Sequence, residues 1–322
     1  MSQLTPLTVG SSFRSRFLAW MKERFPFANA LLFFILYLTT AAVARFSQTA
    51  DGSIETSFRD IFGALITWSF FLVLRVFDEH KDYALDCQNH PQRILQSGLI
   101  TLNHLKVAVG IAILAQVVWS LVLDRGIGQT TYAWCAMFVW TCLMGKEFFI
   151  PEWLNKHLTW YAVSHMLVMP LIVWWLANLA VPSLQMSTPL VIMMLLAFVS
   201  GFCFEITRKT KGPEEERDTI ESYSRIFGTR GSAWLVIALV SSMVFVQLWL
   251  IVTLTDGLSL WATVILLAFW GLAMVQLRSF LAAPDAKKRG KNEAAVALAM
   301  LAGYAVLIAV VISARGLHFA LF

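Results

Sequence analysis

Three aspartates, Asp78, Asp82 and Asp86, stand four residues apart in the stretch Arg75-Val-Phe-Asp-Glu-His-Lys-Asp-Tyr-Ala-Leu-Asp-Cys-Gln-Asn-His-Pro-Gln-Arg93. On a helix that spacing lines the three carboxylates along one face, about 6 Å per step, with Glu79 beside the first. Like charges so placed repel one another, and a divalent cation would compensate them. Mg²⁺ is hard, prefers oxygen, takes one or two carboxylates and shares its other positions between water and substrate phosphates. The plainer alternative is a solvated helical cap, with Lys81 and Arg93 as surface counter-charges. A second acidic segment, Glu205-Ile-Thr-Arg-Lys-Thr-Lys-Gly-Pro-Glu-Glu-Glu-Arg-Asp218, offers Glu205, Glu214, Glu215 and Asp218 as further oxygen ligands. Glu214 and Asp218 are again four apart, and the Gly212-Pro213 break decides whether the Glu214–Glu216 run meets Glu205 or stays away from it. Lys146, Arg208, Lys209 and Lys211 are cations able to neutralise a phosphate. The same side chains also serve as snorkelling anchors at a membrane surface.

The elements that must position these groups are apolar. Of 322 residues 58% are hydrophobic and 14% charged, against roughly 25% charged in a soluble chain, and the mean hydropathy is +0.67. An ordinary soluble domain is excluded. A hydrocarbon core needs about 20 apolar residues per helical span. Nine stretches meet that requirement: 27–46, 58–77, 103–123, 131–149, 158–180, 189–206, 232–255, 258–280 and 294–314. Unbroken runs of this length lack the alternation of barrel strands, so strands are not needed. The expected fold is an all-α polytopic membrane bundle of about nine helices, forming a single domain over 1–322 with residues 1–26 as a cytosolic N-terminal segment. With that segment inside, only Arg45, Arg59, Arg125 and Arg315 of the 25 Lys and Arg residues fall on the far side, which fits the positive-inside rule with an outside C-terminus. Both acidic segments, after spans 2 and 6, then face the cytosol together with Lys146. Trp134, Trp153, Trp160 and Trp261 sit near span ends, where tryptophans form interfacial belts. The four cysteines contain no CxxC pair, so neither a disulfide framework nor a zinc site is indicated. The basic loop residues read as topology determinants, not as a nucleic-acid footprint.

Residues 78–98 resemble the first signature of the UbiA family of intramembrane prenyltransferases. That pattern is Asn-x-x-x-Asp-x-x-x-Asp, then Asn-Arg-Pro-x-Arg-Pro and a Ser-Gly. Asp78 stands at the leading Asn, Asp82 and Asp86 are the two aspartates, and Asn89, Pro91, Arg93, Ser97 and Gly98 match in register. The departures are Asp78 for Asn, His90 for Arg and Ile94 for Pro. In the second segment the family's Asp-x-x-x-Asp is only partly present. Anchoring on Gly228 puts Glu215 on one acid and Lys211 on the other, while a shift restores the pair Glu214 and Asp218.

The resemblance implies a Mg²⁺-dependent transfer of an isoprenyl group from a polyprenyl diphosphate to an aromatic or other lipophilic acceptor, within the lipid bilayer of, by expectation, a bacterial inner membrane. Asp78, Asp82 and Asp86 would hold one metal ion, with Arg93 beside them. Glu205, Glu214, Glu215 and Asp218 supply candidates for a second. Asn89, Arg93, Lys146, Arg208 and Lys209 would contact the diphosphate. Two other readings stand beside this one: a cyclase of the same fold, in which the allylic cation closes on itself, and a cation transporter or lipid-diphosphate binding protein. A transporter would carry its coordinating residues near mid-membrane, whereas these acids lie at span ends on one side. Within the spans Asn178, Gln247 and Gln276 read as interhelical hydrogen-bonding groups, with acceptor contacts as the alternative. His165 stands apart, because ionisable side chains at membrane depth usually face an interior cavity; it reads either as a neutral, hydrogen-bonded core histidine or as a direct contact to the acceptor. The transferase reading also requires, beneath the aspartates, a hollow roomy enough for an isoprenoid.

Overall fold

The computed structural model describes residues 7–48, 52–217 and 221–321. Asp218, one of the candidate ligands, lies outside the described residues. Among the described residues thirteen α-helices follow one another: α1 (Phe13–Arg24), α2 (Ala30–Gln48), α3 (Phe58–Lys81), α4 (Tyr83–Asn89), α5 (Leu102–Asp124), α6 (Gln129–Gly145), α7 (Pro151–Lys156), α8 (Leu158–Met166), α9 (Val168–Ala180), α10 (Thr188–Arg208), α11 (Tyr223–Thr255), α12 (Leu260–Ala282) and α13 (Ala286–Arg315). Among the described residues eight helical segments are long and apolar enough to cross a membrane. The remaining expected span is α6, whose 17 residues rise about 26 Å at 1.5 Å each. It packs between α5 and α9. The chain is therefore the all-α polytopic bundle anticipated from the nine apolar stretches.

Boundaries differ from the apolar runs for local reasons. The fifth span divides at Leu167 into α8 and α9, three residues before Pro170, whose ring and missing N–H interrupt the helical ladder. The fourth ends at Gly145, because Glu147, Phe148 and Phe149 all take positive φ. The seventh starts at Tyr223, not 232, and bends at Gly228, where φ is +72° and ψ 158°. A side chain there would be strained, and glycine is the residue that accepts this geometry. The eighth-to-ninth turn is short, because Asp285 caps α13 by accepting from the Lys288 N–H at 2.7 Å.

Two departures concern the margins. At the end of the bundle away from the acidic segments, β1 (Ile54–Thr56) pairs in parallel with β2 (Leu317–Phe319), so a small sheet exists where strands were thought unnecessary. Segment 1–26 contributes α1, whose Trp20 and Met21 are buried against Leu72, Val73, Val76, Leu95 and Ile100. Trp134 is a core residue and not part of an interfacial belt: it is 8% exposed and donates its indole N–H to Gln116 Oε1 at 3.1 Å. Trp153, Trp160 and Trp261 are exposed. Asn178 does not make the interhelical side-chain bond expected of it: its amide donates within α9, to the Trp174 carbonyl at 2.9 Å. Gln247 is fully buried against the backbone of Gly303, where any Cβ would collide with its amide.

Candidate active site

Ser57 starts α3 with a capping box that also engages Asp60, and the helix then runs unbroken to Lys81. The chain changes direction only slightly at Asp82, where φ is −91° and ψ 3°. The backbone ladder continues through that corner. Asp82 N–H donates to the Asp78 carbonyl at 2.9 Å, Asp86 N–H to the Asp82 carbonyl at 2.8 Å, and His90 N–H to the Asp86 carbonyl at 2.8 Å. The three aspartates thus mark successive turns of one strip. Pro91 disfavours helical backbone at the residue before it, and α4 ends at His90 accordingly.

The three carboxylates have different surroundings. Asp78 is 60% exposed at its side chain and has Arg75 at 3.7 Å. Asp82 is exposed and takes part in no ion pair among the described residues. Desolvation at the mouth holds the Asp82 carboxyl above the ordinary range, with Asp86 and Glu147 adding like-charge repulsion against the pull of Lys81. Asp86 is already neutralised, by Arg93 at 2.8 Å and by Arg24 of α1 at 3.5 Å. Glu79, on the adjacent face, is buried and paired with Arg24 at 2.5 Å. Sequence spacing could not reveal Arg24, which comes from a helix outside the apolar runs.

Across the mouth lies a cluster in which Lys81 ceases to be a surface counter-charge. Its ammonium reaches Glu147 at 2.7 Å and donates to the Tyr161 hydroxyl at 2.5 Å. Lys81 and Lys209 also lie over the Tyr161 ring, 4.8 and 5.5 Å from its centroid. Glu147 reaches Lys81 because the turn after α6 holds three consecutive non-glycine residues at φ of 47°, 54° and 60°. Left-handed backbone of this kind costs about 1–2 kcal/mol per residue, and such strain concentrates where function constrains the chain. The same turn sets Phe148 edge-on to His165, ring centroids 6.0 Å apart. His165 stacks on Tyr161 at 3.9 Å and 14°. Beneath Asp78 a cavity of about 30 Å³ is walled by Leu74, Phe77, Asp78, Lys81, Thr141, Met144, Gly145 and His165.

The second acidic segment divides. Glu205, at the end of α10, is held by Arg208 at 2.7 Å and Lys209 at 2.8 Å. Lys209 lies over the same Tyr161 ring as Lys81, so the end of α10 belongs to the same mouth. Glu214 and Glu215 face α13 instead. Glu214 accepts from the Ala286 N–H at 3.1 Å, and Glu215 pairs with Arg289 at 2.7 Å, while Arg289 also bonds Glu293. They clamp the loop between α10 and α11 onto the start of α13. Asn89 turns back to the Leu85 carbonyl at 3.1 Å. Lys146 is exposed and has no ion pair among the described residues.

Among the described residues no three His, Cys, Asp or Glu side chains already converge as a metal site. The donors of the aspartate strip are nonetheless all carboxylate oxygens, and Asp82 is destabilised in its ionised form by desolvation first and by Asp86 and Glu147 after it. That chemistry fits a hard cation. Asp82 is available to it as it stands and Asp78 has only Arg75 at 3.7 Å, whereas Asp86 and Glu205 would first have to release closer basic partners. The hollow is smaller than a prenyl chain requires, with room for about one or two waters. A second hollow at this end, of about 750 Å³, is lined by Glu152, Asn155, Lys156, Glu221, Ser222, Arg225 and Ile226 and is too polar for an isoprenyl tail.

No family model matches the chain, and no curated protein matches it. Among solved structures it is similar to that of a digeranylgeranylglyceryl phosphate synthase in membranes, with a TM-score of 0.64 and 15% identity, covering 93% of this chain and 99% of that one. At that identity the likeness establishes the fold, which is the UbiA-like bundle implied by residues 78–98.

Proposed function

We propose that this chain is an atypical UbiA-family enzyme that moves an isoprenyl group from a polyprenyl diphosphate to an aromatic or other lipophilic acceptor and releases diphosphate. The observation that carries the reading is the Asp78–Asp82–Asp86 strip, continuous in its backbone ladder, at the mouth of a bundle whose fold is shared with a prenyl-lipid synthase in membranes. An anionic head and a long apolar tail suit an acidic rim above a lipid-embedded bundle.

Asp78 and Asp82 would hold Mg²⁺, with Asp86 and Glu205 as further oxygen donors. The metal supplies neutralisation of the charge that builds on the departing diphosphate. When the head arrives, Arg93 and Arg24 on Asp86, and Arg208 and Lys209 on Glu205, become available to phosphate oxygens. These ion pairs store cations beside the site and keep the mouth near charge balance. Lys81, already fixed by Glu147 and Tyr161, adds a positive charge at the cavity edge. The tail would start between Leu74, Phe77 and Met144 and continue along the lipid side of the bundle, displacing the turn after α6. Closure of that turn over the head would exclude water from the cation.

The test is to incubate the purified protein with prenyl diphosphates of several lengths and Mg²⁺, with and without a cell extract that supplies acceptors, and to identify products by mass. A prenylated acceptor with released diphosphate is expected. A cyclic hydrocarbon formed without acceptor would assign the same site to cyclisation. No diphosphate release under any condition would overturn the proposal.

A further inference from the structure

His165 is not used in the transfer described above, and its setting gives it a chemical identity. It lies on α8, inside the fifth span, where an ionisable side chain usually has a reason to be. Its Nδ1 is 2.8 Å from the Tyr161 carbonyl oxygen. A carbonyl only accepts, so Nδ1 carries the ring hydrogen and Nε2 keeps its lone pair. The Ser164 hydroxyl, 3.3 Å from Nδ1, donates to the same carbonyl at 3.0 Å and leaves that assignment unchanged. Stacking on Tyr161 and the edge of Phe148 fix the ring plane. The ring forms part of the wall of the cavity that also has Asp78 and Lys81 in its wall. Nε2 is thus the nitrogen left for a guest, in the same hollow as a candidate metal ligand.

Other polar groups in the spans lack this combination. Gln247 is buried and without a hydrogen-bond partner, but an amide takes no proton at neutral pH. His80 and His157 also place Nδ1 on a backbone carbonyl, of Val76 and Trp153, yet neither belongs to the wall of that cavity.

We infer that His165 is the proton acceptor of the transfer. This rests on the transferase reading above and adds a role that reading leaves open. Heterolysis of the allylic C–O bond sends its electron pair to the diphosphate. The acceptor atom, a hydroxyl oxygen or an activated ring carbon, donates an electron pair to the allylic carbon and forms the new bond. The proton which that atom then loses passes to Nε2, giving an imidazolium that returns the proton to water at the mouth. Glu147, paired with Lys81 on the other side of Tyr161, offers negative charge to steady the imidazolium, while Lys81 and Lys209 oppose it and favour the return. The acceptor class follows: a protic molecule, small or flat enough to reach α8 past the turn after α6.

The experiment compares the full-length protein with His165→Asn, whose amide N–H can keep the bond to the Tyr161 carbonyl, and with His165→Gln as a second replacement. Two quantities are read: prenylated product, and diphosphate released without acceptor. Product formation should fall about 10²-fold or more in the variants, the usual worth of a positioned base, while acceptor-free release stays within about threefold of the parent. Product at the parental rate would overturn the inference, as would an equal fall in both quantities. Unfolding of both variants would make His165 a packing residue and overturn it too. If the parent itself releases no diphosphate, the transferase reading fails first, which is distinct from a parent that works and a variant that works equally well.

Discussion

The two ends of the bundle treat a carboxylate in opposite ways. At the far end Asp60 is buried and saturated: it accepts from the Tyr37 hydroxyl at 2.8 Å, from both Arg45 terminal nitrogens at 3.0 and 2.7 Å, from Thr56 Oγ1 at 2.8 Å and from the Ser57 N–H at 3.0 Å. That knot joins α2, α3 and β1 and ties down the strand that pairs with β2. At the mouth Asp82 is exposed, bears no ion pair among the described residues and is pressed by like charges. A saturated carboxylate serves the fold, and one left with spare lone pairs beside other acids is ready for a ligand. The mouth is kept from flying apart by arginines and lysines that sit on Asp86 and Glu205, partners that a diphosphate can take over.

Substitutions should separate the two ends, and the largest effect belongs to the mouth. Alanine at Asp82 or Asp86 is expected to lower Mg²⁺-dependent diphosphate release by at least about 10²-fold, on the scale of removing one preorganised electrostatic group from a transition state. Membrane insertion and elution as a single species should be unaffected. Next comes the far end. Arg45→Ala leaves Asp60 charged and buried without its partner, a loss of about 3–5 kcal/mol. It is read as a fall in thermal midpoint in detergent, with turnover per folded molecule unchanged.

A smaller effect distinguishes the ends by sign. Because the folded surroundings raise the Asp82 carboxyl, its ionised form opposes folding. The favourable contribution is complete below the ordinary carboxylate range and is lost as pH rises through the raised value. Asp82→Asn should therefore increase the thermal midpoint of the metal-free protein at neutral pH, with the gap closing below the ordinary carboxylate range. Added Mg²⁺ should stabilise the parent more than the variant. Smallest is the loop clamp. Arg289→Ala removes partly exposed pairs to Glu215 and Glu293 and should cost about 1 kcal/mol or less, measured by the same melt.

What the sequence disclosed and what it hid follow from the range of the interactions. Eight of the nine expected spans are present among the described residues as helices long and apolar enough to cross a membrane, and they are visible because each is a run of local hydropathy. The aspartate strip is visible because a four-residue period survives even the corner at Asp82. Lys81 looked like a surface counter-charge, since nothing in its neighbourhood in sequence announces Glu147 or Tyr161. Those contacts depend on a left-handed turn at Glu147–Phe149, built without the glycine that would have advertised it. Arg24 was hidden because α1 carries no apolar run. Glu214 and Glu215 look like ligands by their charge alone, while Arg289 and the start of α13, which occupy them, lie far along the chain. The β1–β2 pairing was invisible because three-residue strands leave no periodicity to read.

The most direct measurement is Mg²⁺-dependent release of diphosphate from a prenyl diphosphate by the purified parent and by the Asp82→Ala, Asp86→Ala double variant, both shown to be folded by the same thermal melt. The parent should release diphosphate only when Mg²⁺ is present, and the double variant should not release it above the uncatalysed rate. Release by the double variant at the parental rate would show that the acidic strip is not the seat of the chemistry.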